Sequence, residues 1–265
     1  MGDHVSAAAA AILPGTVERG QESADQFAKQ VSPEQSRPAG WHTGFRKFLW
    51  ENGLSLVVLA LFLFTFIGQV GTGLLAYNND QREHGEPAIG LGHYLTSGHF
   101  IEATAENWES EFLQMGMFVI LTVYFRQKGS AESKKPDGQE DVDEDPREHA
   151  DEPDAPWPVR KRGFVLWLYS YSLFLAFMLL FLISFLGHAW GGAREYSQEQ
   201  LSHGQDAVTV LQYMGTSQFW FESFQNWQSE FLSIAAMVLF TIWLRQHGSP
   251  ESKPVHHPHA KTASE

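Results

Sequence analysis

Residues 163–186 read GFVLWLYSYSLFLAFMLLFLISFL, an apolar stretch without a single charge. About 20 such residues in a helix cross the roughly 30 Å hydrocarbon core of a bilayer, so this stretch predicts a membrane span. A second stretch of the same kind, LSLVVLALFLFTFI at 54–67, continues uncharged to Tyr77. Two shorter runs, Phe112–Phe125 and Phe231–Leu244, reach membrane length once the turn carrying Trp108 or Trp227 is added. Each then gives about 19 residues, or roughly 28 Å of helix, before Arg126 or Arg245. Four spans are expected, at about 52–76, 108–126, 164–190 and 227–245.

The rest of the composition fits that reading. The chain has 265 residues and a net charge of −13, and its apolar and polar residues are segregated into blocks. It has no cysteine, which excludes disulfides and cysteine-ligated metal or iron–sulfur sites. The amino terminus does not read as a secretory signal: Ala7–Leu13 is short, and Asp3 and His4 precede it where basic residues belong. The first spans are therefore expected to act as uncleaved insertion signals.

Shifted by 119 positions, the sequence aligns with itself without a gap from about Phe45–Lys134 to Phe164–Lys253. NWESEFL at 107–113 recurs as NWQSEFL at 226–232, and RQKGSAESK at 126–134 as RQHGSPESK at 245–253. The unit is a two-helix hairpin written twice. The expected division is a disordered segment 1–43, hairpin 44–134, an acidic disordered linker 135–159, hairpin 160–253 and a His-rich tail 254–265. Proline-broken acid runs such as PDGQEDVDEDPREHADEPD bury too little apolar area to offset ordering entropy.

Basic residues set the orientation. Arg46, Lys47, Arg126, Lys128, Lys134, Lys135, Arg160–Arg162, Arg245 and Lys253 flank the spans on one side, whereas the loops 78–98 and 197–217 hold only Arg82 and Arg194. By the positive-inside rule both termini and the linker are cytoplasmic and the loops lie outside. An even number of spans per copy gives both hairpins the same orientation. The expected fold is therefore all-α, four transmembrane helices from two tandem hairpins related by a pseudo-twofold along the membrane normal.

REHGEP at 82–87, YLTSGHFIEATAENWESEFLQM at 94–115 and RQKGSAESK at 126–134 resemble a family of bacterial integral membrane proteins of unknown function. The resemblance covers about 44–134 and 163–253. It implies a multi-pass protein of the bacterial inner membrane and no activity. Copy 2 departs from copy 1 where Gln218 replaces His99, Gln225 replaces Glu106 and Asp206 replaces Pro87.

Asn107, Glu111 and Gln114 share one helix face at i, i+4, i+7, and copy 2 repeats the stripe as Asn226, Glu230 and Ser233. Glu111 is 15 residues before Arg126. That is about 22 Å of helix, inside the outer edge of a roughly 30 Å core. Buried ionisable groups at such depth mark functional sites by default. Glu111 and Glu230 would form a paired proton or cation site if they converge across the pseudo-twofold. If each instead bonds locally, or to the partner span at Gln69 or His188, they fix helix register. His188 is the only histidine within a span, which argues against bis-histidine haem. His84-Gly85 and His203-Gly204 would suit a symmetric metal site, but their spacing matches no zinc motif and His-Gly commonly serves as turn chemistry.

No nucleophile elbow, phosphate loop or HExxH string occurs, and no basic surface suggests nucleic acid. The expected function is a non-enzymatic structural or interaction module without cofactor. Its partners are the lipid bilayer and a second copy or another membrane protein. A proton- or cation-coupled transporter built on Glu111 and Glu230 is the alternative, and a metal enzyme of the outer histidines a weaker one.

Overall fold

The computed structural model describes residues 44–262. The expected disordered segment 1–43 and the last three residues of the tail lie outside the described residues. The helices are α1 (Gly44–Glu51), α2 (Gly53–Glu83), α3 (Leu91–Tyr94) and α4 (Gly98–Tyr124), then α5 (Trp157–Lys161), α6 (Gly163–Ser170), α7 (Ser172–Ser202), α8 (Val210–Tyr213) and α9 (Ser217–Trp243). A 3-10 turn at Asp141–Asp143 interrupts the acidic linker, and no strand occurs among the described residues.

α2 and α7, each 31 residues, are long and apolar enough to cross a membrane. At about 1.5 Å per residue each extends roughly 46 Å, so polar turns remain beyond the apolar core. α4 and α9 have 27 residues each; α4 begins with turns in which acids alternate with apolar residues, whereas the first turns of α9 carry one acid, Glu222, among aromatic residues. The stretch expected as one span at 164–190 is two helices. Tyr171 leaves helical geometry (φ −109°, ψ 6°), and the Ser172 hydroxyl donates to the Tyr169 carbonyl beside the break.

The chain divides into two units between Gln69 and Val70. In the described part of the first, large apolar side chains point outward along α2, including Leu54, Phe64 and Ile67. Exposed apolar side chains in such number need an apolar solvent or a partner.

In the second unit, α7 packs against α4 through small residues. A Cβ on Gly191 would lie 2.6 Å from the Glu102 amide nitrogen, and one on Gly98 would lie 2.7 Å from that of Glu195. One turn before Gly191, a Cβ on Gly187 would lie 3.2 Å from Ala105 Cβ. Only glycine lets the two backbones come this close. α8 caps the end of α7: a Cβ on Gly192 would lie 2.5 Å from the Tyr213 hydroxyl oxygen. Tyr213 and Phe219 are buried there with Ala189 and Ala193.

The local devices recur 119 residues apart. Ser97 and Thr216 cap α4 and α9 by accepting from the Phe100 and Phe219 amides. The Asn78 side chain bonds both the amide and the carbonyl of Ile89, as Ser197 does with Val208. In the RQxGSxESK strings, Arg126 and Arg245 donate to carbonyls at the ends of α4 and α9. These would otherwise be orphan acceptors of a helix terminus. Ser133 and Ser252 then accept from the Gln127 and Gln246 amides, and Gly129 and Gly248 turn the chain at φ 87° and 83°.

The two strings differ in what their last lysine meets. Lys134 pairs with Asp143 of the linker. Lys253 is fully buried, and its ammonium donates to the carbonyls of Gly129, His259 and Lys261. Burial, with Arg245 nearby, holds that ammonium below the usual lysine range. Lys253→Met would leave these carbonyls without their cationic donor. We expect a loss of about 2–3 kcal/mol, read as a lower melting temperature and faster proteolysis of the tail.

Candidate functional site

His188 lies at the middle of α7, fully buried, with its ring stacked 4.7 Å from that of Phe219. Its Nδ1 is 2.9 Å from Glu109 Oε2, and Glu109 is also fully buried. The other Glu109 oxygen accepts from Trp227 Nε1 at 2.9 Å. On the opposite edge of the ring, Nε2 is 3.2 Å from Glu222 Oε2 and 4.0 Å from Glu106 Oε2. Three helices meet at this imidazole: α4 supplies Glu106 and Glu109, α7 supplies His188, and α9 supplies Glu222 and Trp227.

Tyr213 at the end of α8 extends the cluster. Its hydroxyl is 2.9 Å from Glu102 Oε1 and also hydrogen-bonds Glu222, whose second oxygen accepts from Gln218. A phenol has one proton to donate, so it cannot satisfy two ionised carboxylates at once. One of the two needs a further donor, and Glu222 has Gln218 and the His188 ring beside it. Burial, the Glu222 hydrogen bond and the Glu102 charge push the phenol itself well above the usual tyrosine range, so it stays a neutral donor.

The charges do not balance. Glu102, Glu106, Glu109 and Glu222 surround one imidazole, which supplies at most one positive charge. Among the described residues no lysine or arginine forms an ion pair with any of the four; their ion pairs are all with His188. Buried charge in such excess is costly unless protons or a cation compensate it.

The residues singled out from the sequence are distributed differently. His188 is at the centre of the cluster and has carboxylate partners. Glu111 is exposed and Glu230 half-buried, near enough for their charges to interact. Gln114 links the helices there, its Nε2 donating to the Glu230 carbonyl at 2.9 Å and the Ser233 hydroxyl at 2.6 Å. Asn107 is exposed, Asn226 donates to the Glu222 carbonyl within its own helix, and Gln69 lies in α2 at the edge of the first unit. His84 and His203 each approach a carbonyl one turn back, Asp80 at 3.0 Å and Glu199 at 2.8 Å, closing the ends of α2 and α7.

Glu109, Glu222 and Tyr213 were not singled out in the sequence. The signal was present in the differences between the copies: His188 stands opposite Gln69, Glu109 opposite Gln228, Glu106 opposite Gln225, Glu102 opposite Phe221 and Glu222 opposite Ala103. The histidine and each of the four carboxylates occupy positions at which the other copy has no ionisable group, whereas Tyr213 stands opposite Tyr94.

The fold and site define an all-helical protein with two helices fit to cross a membrane and a buried histidine–carboxylate cluster. Residues 45–264 match the family described as Domain of unknown function (DUF6766), and the chain belongs to that family. No curated protein and no solved structure matches the chain.

Proposed function

We propose that this is a multi-pass protein of the bacterial inner membrane, a duplicated two-helix hairpin with both termini cytoplasmic. Its role is that of a non-enzymatic structural or interaction module. The recurrence of helix lengths, caps and loop clasps at one spacing supports the duplication. The outward apolar face of α2 offers a surface to lipid, to a second copy or to another membrane protein.

One observation carries the module reading: the polar groups between the helices are engaged with one another. Trp227, Glu109, His188, Glu222, Tyr213 and Glu102 form a connected chain of hydrogen bonds through α4, α7, α8 and α9. Such a clasp fixes helix register and rotation. The transport reading survives in a narrower form, because the unbalanced carboxylates would accept protons. Its natural centre is then His188 and not the Glu111–Glu230 pair.

The cysteine-free chain permits direct tests. Single cysteines at Glu86 and Asp206 should react with an impermeant maleimide on intact spheroplasts, and those at Asp145 and His256 only after lysis; the reverse pattern would overturn the topology. In proteoliposomes, wild type and Glu109→Gln should show equal, background-level proton flux. Flux in wild type that Glu109→Gln abolishes would replace the module by a proton conductor.

A further inference from the structure

We infer that Glu102, His188 and Glu222 form a binding site for a divalent first-row transition-metal ion. One oxygen from each carboxylate and one imidazole nitrogen already lie within 4.8 Å of one another. A bound ion with bonds of about 2.0–2.2 Å holds adjacent ligand atoms some 3–4 Å apart, so small side-chain shifts close the site.

The surroundings of the imidazole provide the independent argument. A metal-ligating histidine characteristically donates its other ring N–H to a carboxylate, which fixes the tautomer and aims the free nitrogen. His188 Nδ1 faces Glu109 in this way, and Glu109 is in turn held by Trp227. Nε2 is thereby left facing Glu222, with Glu106 4.0 Å away as a further donor. The Tyr213 hydroxyl bonds both Glu102 and Glu222 and so holds the two carboxylates close to each other.

Charge points the same way. A dication among Glu102, Glu106 and Glu222 offsets the excess that one imidazole cannot. The donor set, one imidazole and two or three carboxylates, suits zinc, iron or manganese rather than calcium or copper(I). The site goes beyond the module reading: metal can be absent and the clasp remain, or the clasp can prove dispensable and metal still bind.

The test uses full-length protein in detergent with His256, His257 and His259 replaced by alanine, removing the tail as a source of adventitious binding. Titration with zinc alone should give one ion per chain. Glu102→Gln/Glu222→Gln should weaken binding about 100-fold or more, and Glu109→Gln about 10- to 100-fold, the usual range for a supporting carboxylate. Helicity by circular dichroism reports whether each variant has folded. X-ray absorption on the zinc-loaded tail variant needs no site substitution and should show one imidazole with oxygen ligands. No stoichiometric zinc, zinc binding unchanged in the folded double variant, or two or more imidazoles at the ion would overturn the proposal.

Discussion

Valine at position 191 should separate α4 from α7 and cost about 3 kcal/mol or more, the upper range for overpacking a close interface. The obstacle is backbone, which cannot turn aside as a side chain can. A Cβ on Gly191 would meet the Glu102 amide nitrogen at 2.6 Å, the Glu102 Cα at 3.1 Å and Ile101 Cγ2 at 3.0 Å. The only relief is movement of one helix away from the other. That movement would also carry Glu102 away from Tyr213, so the helix contact and the polar cluster should fail together. Gly71→Ala is the matching control, because a Cβ there meets nothing within 4 Å. It should change stability by no more than about 1 kcal/mol. Thermal loss of the monodisperse peak in detergent measures both, and a Gly191→Val protein that melts with the wild type would refute the close-packing account.

His188→Leu should cost about 3–5 kcal/mol, because it leaves the fully buried Glu109 carboxylate with the neutral Trp227 donor and no ionisable partner. Much of that is the penalty of an uncompensated charge, so removing the second charge should restore stability. The chain itself suggests the double variant: copy 1 has Gln69 where copy 2 has His188, and copy 2 has Gln228 where copy 1 has Glu109. Glu109→Gln with His188→Gln therefore installs residues that the fold already accepts at equivalent positions. The double-mutant cycle should show a coupling of about 1–3 kcal/mol between the two sites. Additive single effects would mean that the imidazole and carboxylate do not stabilise each other.

The copy differences also explain what was legible in advance. Glu111 and Glu230 stand in the matched strings, because duplication preserves what every hairpin needs. What every hairpin needs is caps, turns and packing. Ser97 and Thr216, Arg126 and Arg245, and Ser133 and Ser252 are shared for that reason, and each satisfies backbone groups of its own hairpin. A site assembled once, from one copy's second helix and both helices of the other copy, is free to differ from its counterpart.

The sequence alone determined the helical class, the apolar character of α2 and α7 and the 119-residue spacing. These follow from composition and periodicity, which are legible along the chain itself. It also marked His188 as unusual. Only the tertiary structure decided which carboxylates reach that histidine. Glu109 and Glu222 lie 79 and 34 residues from it, and their approach depends on where Gly98, Gly187 and Gly191 allow the helices to touch. Helical spacing shows which residues share a face. The helix rotation that turns Glu109 inward and leaves Glu111 exposed is set by backbone contact between helices, for which one helix's own periodicity carries no information.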